Sequence, residues 1–126
     1  MLRTIETKMI AAIRNGQTWK SDNTMVRFEN GAAIVFLHGH RIAYVYPDRT
    51  VRVSLAGWNT VTTRSRVNAI LSQLVAGFNR VHTVKGVPHL TVGGRGPLNP
   101  DRTIPIGSDD WLTFNETGEL VAGTHS

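Results

Sequence analysis

The six-residue apolar run at positions 32–37 constrains the fold of this chain more than any other feature of its sequence. Asn30-Gly31 precedes the run, and His38-Gly39 or Gly39-His40 follows it. Asn-Gly is the pair that best tolerates the positive φ angles of a type I′ hairpin turn. A strand between two tight turns pairs antiparallel with both neighbours. The sequence therefore predicts an antiparallel β-meander, with its four strands at 24–29, 32–38, 41–46 and 51–55.

Apolar side chains four residues apart predict a first helix over residues 4–15. Thr4 can cap its start and Gly16 can end it. Because the run at 32–37 is apolar on both faces, we expect helices to cover the sheet. The stripe facing the sheet comprises Ile5, Met9 and Ile13, and the face expected in solvent carries Glu6, Lys8 and Arg14.

A second helix, over residues 62–77, has the clearest helical pattern in the chain. Thr62 or Thr63 can cap it, and Gly77 lies near its end. The predicted buried stripe comprises Val67, Ile70, Leu71, Leu74, Val75 and Phe78. The polar side comprises Arg64, Arg66, Asn68 and Gln73.

The remainder of the chain has a pattern of short strands, at 81–84, 89–92, 103–106 and 111–114, with a turn at 115–118. Residues 122–126 are expected to fray. The fold class is therefore α+β: a meander of at least four strands, two packed helices and a C-terminal β-rich segment. The 126 residues fit a single domain, 1–126. The absence of cysteine excludes disulfides and cysteine-ligated metals.

The charges are distributed unevenly along the chain, which carries a formal net charge of +5. Residues 1–100 contain thirteen basic and four acidic side chains, whereas residues 101–126 contain one basic and five acidic. Eleven of the fourteen basic residues are arginines, which can bind phosphate with two parallel hydrogen bonds. A basic body of this kind attracts polyanions, although scattered arginines also serve simply as a solvated surface.

The segment 56–68 joins the meander to the second helix and admits two interpretations. In the structural one, Gly57 ends the strand, threonines satisfy free amides at the helix start, and Trp58 packs over the entry to the core. In the functional one, the positive helix end and the side chains of Arg64 and Arg66 bind an anion. Both can hold at once.

This segment resembles a pattern in small proteins of bacteriophages and other mobile elements. In that pattern Gly-Trp or Gly-Tyr, a Thr-Thr pair and an Arg-hydrophobic-Asn triplet close a β-meander. The resemblance covers about residues 32–75 and implies a phage origin, without a known activity or catalytic residue. The matching positions are Gly57, Trp58, Thr60, Thr62, Thr63, Arg66, Val67 and Asn68.

Two tyrosines give the meander a possible binding face. Strict alternation places Tyr44 and Tyr46 on one face of their strand together with Ile42, and Arg41 on the other face. A sheet face that carries tyrosines, with Arg27, Arg41 or Arg52 near its rim, can stack bases and hold phosphates. The same tyrosines can instead pack beneath a helix, which is the more ordinary role for such a pair.

These observations predict a non-catalytic, phage-type accessory protein that binds nucleic acid through an arginine-rich surface. The alternative is an antagonist of a host factor or host defence, which acts by binding a protein or an anionic nucleotide signal. The predicted ligand-binding residues are Arg64, Arg66, Asn68, Arg52, Arg41, Tyr44 and Tyr46.

We expect neither catalysis nor a cofactor. His38 and His40 are the one close pair of histidines, but no third metal ligand lies near them in sequence. The longest apolar run is far shorter than the roughly 20 residues of a membrane span. We therefore expect a cytoplasmic protein, in the cytoplasm of the host cell if a phage encodes it. The expected partner is nucleic acid or a host protein and not a membrane, and the sequence leaves the oligomeric state open.

Overall fold

Two α-helices and ten β-strands form the part of the chain that the computed structural model describes, residues 2–94, 97–98 and 100–125. This is the predicted α+β class. The helices are α1 (Thr4–Asn15) and α2 (Val61–Leu74). The strands are β1 (Trp19–Ser21), β2 (Thr24–Glu29), β3 (Ala32–Leu37), β4 (His40–Val45), β5 (Val51–Val53), β6 (Asn79–Val84), β7 (Val87–Val92), β8 (Arg102–Pro105), β9 (Asp110–Phe114) and β10 (Leu120–His125).

The predicted meander is confirmed. Strands β1 to β5 pair with one another in chain order, and every pair is antiparallel. Asn30 and Gly31 have φ angles of 52° and 82°, and His38 and Gly39 have φ angles of 51° and 79°. Positive φ at both central residues is what a type I′ turn requires. The apolar run forms β3, which is buried at all six positions.

Two later strands extend this sheet, which the local sequence pattern does not show. Strand β9 pairs with β5, and β10 pairs with β9, so the sheet has seven strands in the order β1-β2-β3-β4-β5-β9-β10. The expected fraying of residues 122–126 is wrong up to residue 125, because β10 pairs along its length with β9. Ser126 lies outside the described residues.

A second sheet, β6-β7-β8, packs on α2. Asn68 of α2 joins the two elements, since its side-chain amide donates to the Val81 carbonyl (2.8 Å) and accepts from the Val81 amide (2.7 Å). One hydrophobic cluster contains Ile70 and Leu71 of α2 together with Val81 and Leu90 of the second sheet and residues of the meander. The helix thus lies between the two sheets.

The start and end of α2 differ from the prediction. Thr60 is the N-cap, in place of Thr62 or Thr63, and its hydroxyl accepts a hydrogen bond from the Thr63 amide (3.1 Å). The helix ends at Leu74, so the helical spacing no longer applies to Phe78, which is 57% exposed instead of buried. The rest of the stripe is buried, apart from the half-buried Leu74.

The prediction of a solvent-exposed Glu6 is wrong, because this carboxylate is only 2% exposed. It accepts hydrogen bonds from Arg66 (2.8 Å) and from the Ser65 hydroxyl (2.6 Å). Arg66 also donates to Thr24 of β2 (3.0 Å). A buried charge is tolerated when it is paired and hydrogen-bonded. This ion pair therefore ties α1, α2 and the meander together.

Candidate nucleic-acid interface

One face of the seven-stranded sheet packs on the helices, and the other does not. Val26, Val35, Ala43 and Val53 point to the helix side and belong to the main hydrophobic cluster. The opposite side chains form a surface that we call the arginine–aromatic face. It consists of Arg27, Glu29, Phe36, Arg41, Tyr44, Tyr46, Arg52 and Trp111. The expectation that helices cover both sides of β3 is therefore wrong.

A β-bulge in β4 brings Arg41 onto this face. The register shifts so that Val35 pairs with Ala43, while the next residue, Phe36, pairs with Arg41. The extra residue, Ile42, is buried in the main cluster. A bulge of one residue reverses the alternation beyond it. The prediction that Arg41 and Tyr44 lie on opposite faces of the sheet is thus wrong. The prediction that Ile42 shares a face with the tyrosines is wrong as well.

Guanidinium groups and aromatic rings alternate across the strands of the arginine–aromatic face. The Arg27 guanidinium lies 5.4 Å from the centre of the Phe36 ring. Arg41 lies over both Phe36 and Tyr44, at 5.5 and 5.8 Å. Arg52 lies over Tyr44 at 5.5 Å. These distances are within cation–π range.

Trp111 and Tyr46 continue the aromatic surface on either side of Tyr44. The Trp111 ring is 5.3 Å from Tyr44 and 5.0 Å from the Arg52 guanidinium. Tyr46 stacks on Tyr44, with ring centres 6.0 Å apart and planes 7° apart. All three rings are half-buried. The structure therefore places neither tyrosine beneath a helix, and the core interpretation of the pair is wrong.

Two of the three arginines of this face are open to solvent, and the third, Arg52, is half-buried. The side chains of Arg27 and Arg41 are 50% and 43% exposed. Both lie near the Glu29 carboxylate, at 3.8 and 3.7 Å. Exposed ion pairs of this length contribute little to stability. Each guanidinium therefore keeps N–H donors for another anion.

Arg41 also donates a hydrogen bond to the Tyr44 hydroxyl (2.9 Å). This hydrogen bond, and then the charges of Tyr44 and Glu29, raise the pKa of the Arg41 guanidinium above its ordinary value. An arginine is cationic at any physiological pH, and this hydrogen bond holds the guanidinium beside the Tyr44 ring.

The other predicted ligand residues lie elsewhere. Arg64 and Asn68 line a groove between α1, α2 and β6, which we call the α2–β6 groove. The Asn68 amide is engaged with Val81, as described above. The expected exposure of Arg66 is wrong, because it is 4% exposed and paired with Glu6. The predicted set is thus divided between two surfaces and the interior.

Most residues of the segment 56–68 have structural partners. The Gly57 amide donates to the Ser108 carbonyl (2.8 Å), and Thr60 caps α2. Trp58 is 55% exposed and lies 5.9 Å from the His40 ring. These contacts give a structural reason for the residue types in this segment.

The described residues, 2–94, 97–98 and 100–125, contain no group of three or more His, Asp or Glu side chains placed to hold a metal ion. His38 and His40 are both exposed. Within the same ranges, neither helix has the length and apolar character that crossing a membrane requires.

Three contributors to the arginine–aromatic face were missed in the sequence: Phe36, Trp111 and Glu29. Phe36 is hidden within an entirely apolar run, and the pairing of β5 with β9 that brings Trp111 beside Arg52 has no local signature. For Glu29 the sequence holds one signal, the Asn30-Gly31 hairpin. The hairpin pairs Glu29 with Ala32, and alternation along β2 then puts Glu29 on the same face as Arg27.

Comparison with known proteins identifies a family. The family model described as Kyanoviridae Gp96 protein matches residues 2–112, so the chain belongs to that family. Searches of curated proteins and of solved structures gave no match.

Proposed function

We propose that this bacteriophage protein, a member of the Kyanoviridae Gp96 family, binds single-stranded nucleic acid on its arginine–aromatic face and acts by binding alone. The observation that carries the proposal is the alternation of guanidinium groups with aromatic rings on a sheet surface that the helices leave open. Proteins that bind single strands combine these two elements, because arginines hold phosphates and rings stack on bases.

A single strand suits this surface better than a duplex does. Aromatic rings stack on bases whose faces are open, whereas the base faces within a duplex are covered by neighbouring base pairs. In the part of the chain that the structure describes, no helix protrudes from this sheet surface to enter a major groove. Tyr44 and Trp111 are the rings placed for stacking, and Arg27, Arg41 and Arg52 are the cations placed for phosphates.

The test is fluorescence anisotropy with a labelled single strand of about ten nucleotides, within the usual site size of such proteins. Trp111→Ala should weaken binding about 5- to 150-fold, which is the loss of one stacked base. Trp58→Ala is the matched control, since this tryptophan is exposed but lies off the face. Its affinity should equal that of the unmodified protein.

Two results would contradict the proposal. One is equal weakening by Trp111→Ala and Trp58→Ala. The other is tighter binding of a duplex than of its separated strands. A circular dichroism spectrum of each variant excludes loss of fold as the cause of weak binding.

A further inference from the structure

The α2–β6 groove is a second concave surface, separate from the arginine–aromatic face. It encloses about 910 Å³ and is formed by the start of α1, one side of α2, and β6. That volume is typical of small-molecule sites. The helices lie on the far side of the meander from Tyr44, so a ligand in the groove would not touch the arginine–aromatic face.

Three cations line the groove without an anionic partner. They are Arg3, Arg64 and Arg80, and within the described residues none of them forms an ion pair. The one carboxylate in the lining is Glu6, whose charge is already matched by Arg66 at 2.8 Å. The groove therefore has a net positive potential that an anionic ligand would neutralise.

Arg64 is held in position before any ligand arrives. Its guanidinium donates to the Asn59 side-chain oxygen, and Asn59 in turn donates to the Gly86 carbonyl (3.1 Å). These bonds fix the side chain between α2 and the turn from β6 to β7. A side chain that is already ordered loses less entropy on binding.

An aromatic ring stands beside these cations. Phe78 lines the groove and is 57% exposed, and its carbonyl accepts a hydrogen bond from the Gly93 amide (2.6 Å). A Cβ atom at Gly93 would lie 3.0 Å from the Phe78 Cβ, so glycine permits this close approach. Val61, 65% exposed, adds apolar surface to the same groove.

An unsatisfied polar atom lies in the wall. Asn79 lines the groove and is 5% exposed, and its Oδ1 has no hydrogen-bond partner within the described residues. Buried polar atoms in folded proteins are nearly always hydrogen-bonded. This oxygen is itself buried, so the ligand contacts proposed below do not involve it.

We propose that the α2–β6 groove binds a nucleotide. Its phosphates lie against Arg64 and Arg80, and its base stacks on Phe78. A phosphate-bearing ligand with an aromatic base satisfies both the unneutralised cations and the exposed ring, which inorganic phosphate alone would not. This is the surface at which the alternative function, capture of an anionic nucleotide, would operate.

Isothermal titration calorimetry with ATP, AMP and tripolyphosphate tests this proposal. We expect saturable binding in the order ATP, then AMP, with tripolyphosphate weaker than ATP because it lacks the base. Phe78→Ala should weaken ATP about 5- to 150-fold, the range for one stacked base, and leave tripolyphosphate unchanged. Arg80→Ala should weaken both ligands.

Lys8→Ala is the matched control, because Lys8 is an exposed cation of α1 that lines neither the groove nor the arginine–aromatic face and should not affect ATP binding. The proposal is overturned if ATP shows no saturable binding at millimolar concentrations. Equal affinities for ATP and tripolyphosphate would also overturn it, as would equal weakening by Lys8→Ala and Arg80→Ala. Since Arg80→Ala should leave oligonucleotide binding intact, failure here is distinguishable from failure of the proposed function.

Discussion

The two faces of the meander use the same strands for different purposes. On the helix side, Val26, Val35, Ala43 and Val53 have no measurable exposure (0%). On the other side, Ile34 and Phe36 are also buried (1% and 7% exposed). The arginines and the rings of Tyr44 and Trp111 form a half-open layer on that side. The comparison teaches that alternation sorts residues by physical role: one face holds the fold together, and the other is free to meet a ligand.

The interactions on the two faces also differ in strength. Burial of an aliphatic side chain stabilises a fold by about 1.5–3 kcal/mol, whereas an exposed cation–π contact contributes about 0.5–1 kcal/mol. Substitutions on the helix side should therefore alter stability, and substitutions on the arginine–aromatic face should alter binding.

The largest expected effect is on the helix side, at the buried ion pair. Arg66→Ala leaves the Glu6 carboxylate buried without its partner, which should lower the free energy of unfolding by about 3–5 kcal/mol. Urea unfolding measures this loss. Arg80→Ala, an exposed arginine with no ion pair in the described chain, should change it by less than about 0.5 kcal/mol. Equal losses of unfolding free energy in the two variants would show that the Arg66–Glu6 ion pair does not hold α1, α2 and the meander together.

The next effect is in the core of α2. Leu71 is 0% exposed, and Leu71→Ala should cost about 2–5 kcal/mol because it removes buried methyl groups and leaves a cavity. Thermal unfolding measures the loss, and oligonucleotide affinity should stay unchanged below the unfolding transition. An unchanged unfolding midpoint would remove this residue from the core.

Arg52→Ala is the corresponding substitution on the arginine–aromatic face, and it should affect binding more than stability. Its ring contacts with Tyr44 and Trp111 should make the loss of stability about 1 kcal/mol. Its main effect should be on binding, because the loss of one phosphate contact to a single strand lowers the salt slope of log K by about 0.7. Anisotropy titrations at several salt concentrations measure that slope. An unchanged slope would exclude Arg52 from the phosphate contacts.

The smallest expected effect is a gain in oligonucleotide affinity, at Glu29. Glu29 lies within 4 Å of both Arg27 and Arg41 and competes with phosphate for them. Glu29→Gln removes the competing charge and should strengthen oligonucleotide binding about 2- to 5-fold, the size of an exposed ion pair. Weaker binding after this substitution would place the strand away from these two arginines.

Much of the fold could be predicted from local signals. Asn30-Gly31 and the apolar run that follows it defined a hairpin because positive φ angles and strand length leave few alternatives. The pairing of β5 with β9 could not be predicted, since it joins segments separated by α2 and the second sheet. Register between distant strands depends on packing of the whole sheet.

The candidate site was predicted in part. Arg41, Arg52 and the tyrosines lie together, as predicted for a binding face. The bulge at Ile42 brings Arg41 beside Tyr44, and a prediction from strict alternation cannot detect such a bulge. Arg66 was misplaced because a charged side chain on a helix is normally exposed, and the buried partner that reverses this rule, Glu6, is sixty residues away.

Photo-crosslinking tests the central claim most directly. A single strand that carries 5-bromouracil is irradiated with the protein, and the attached residues are found by mass spectrometry. The account predicts crosslinks to Tyr44, Tyr46 or Trp111 on the arginine–aromatic face. Crosslinks confined to the helices or to the α2–β6 groove would contradict it.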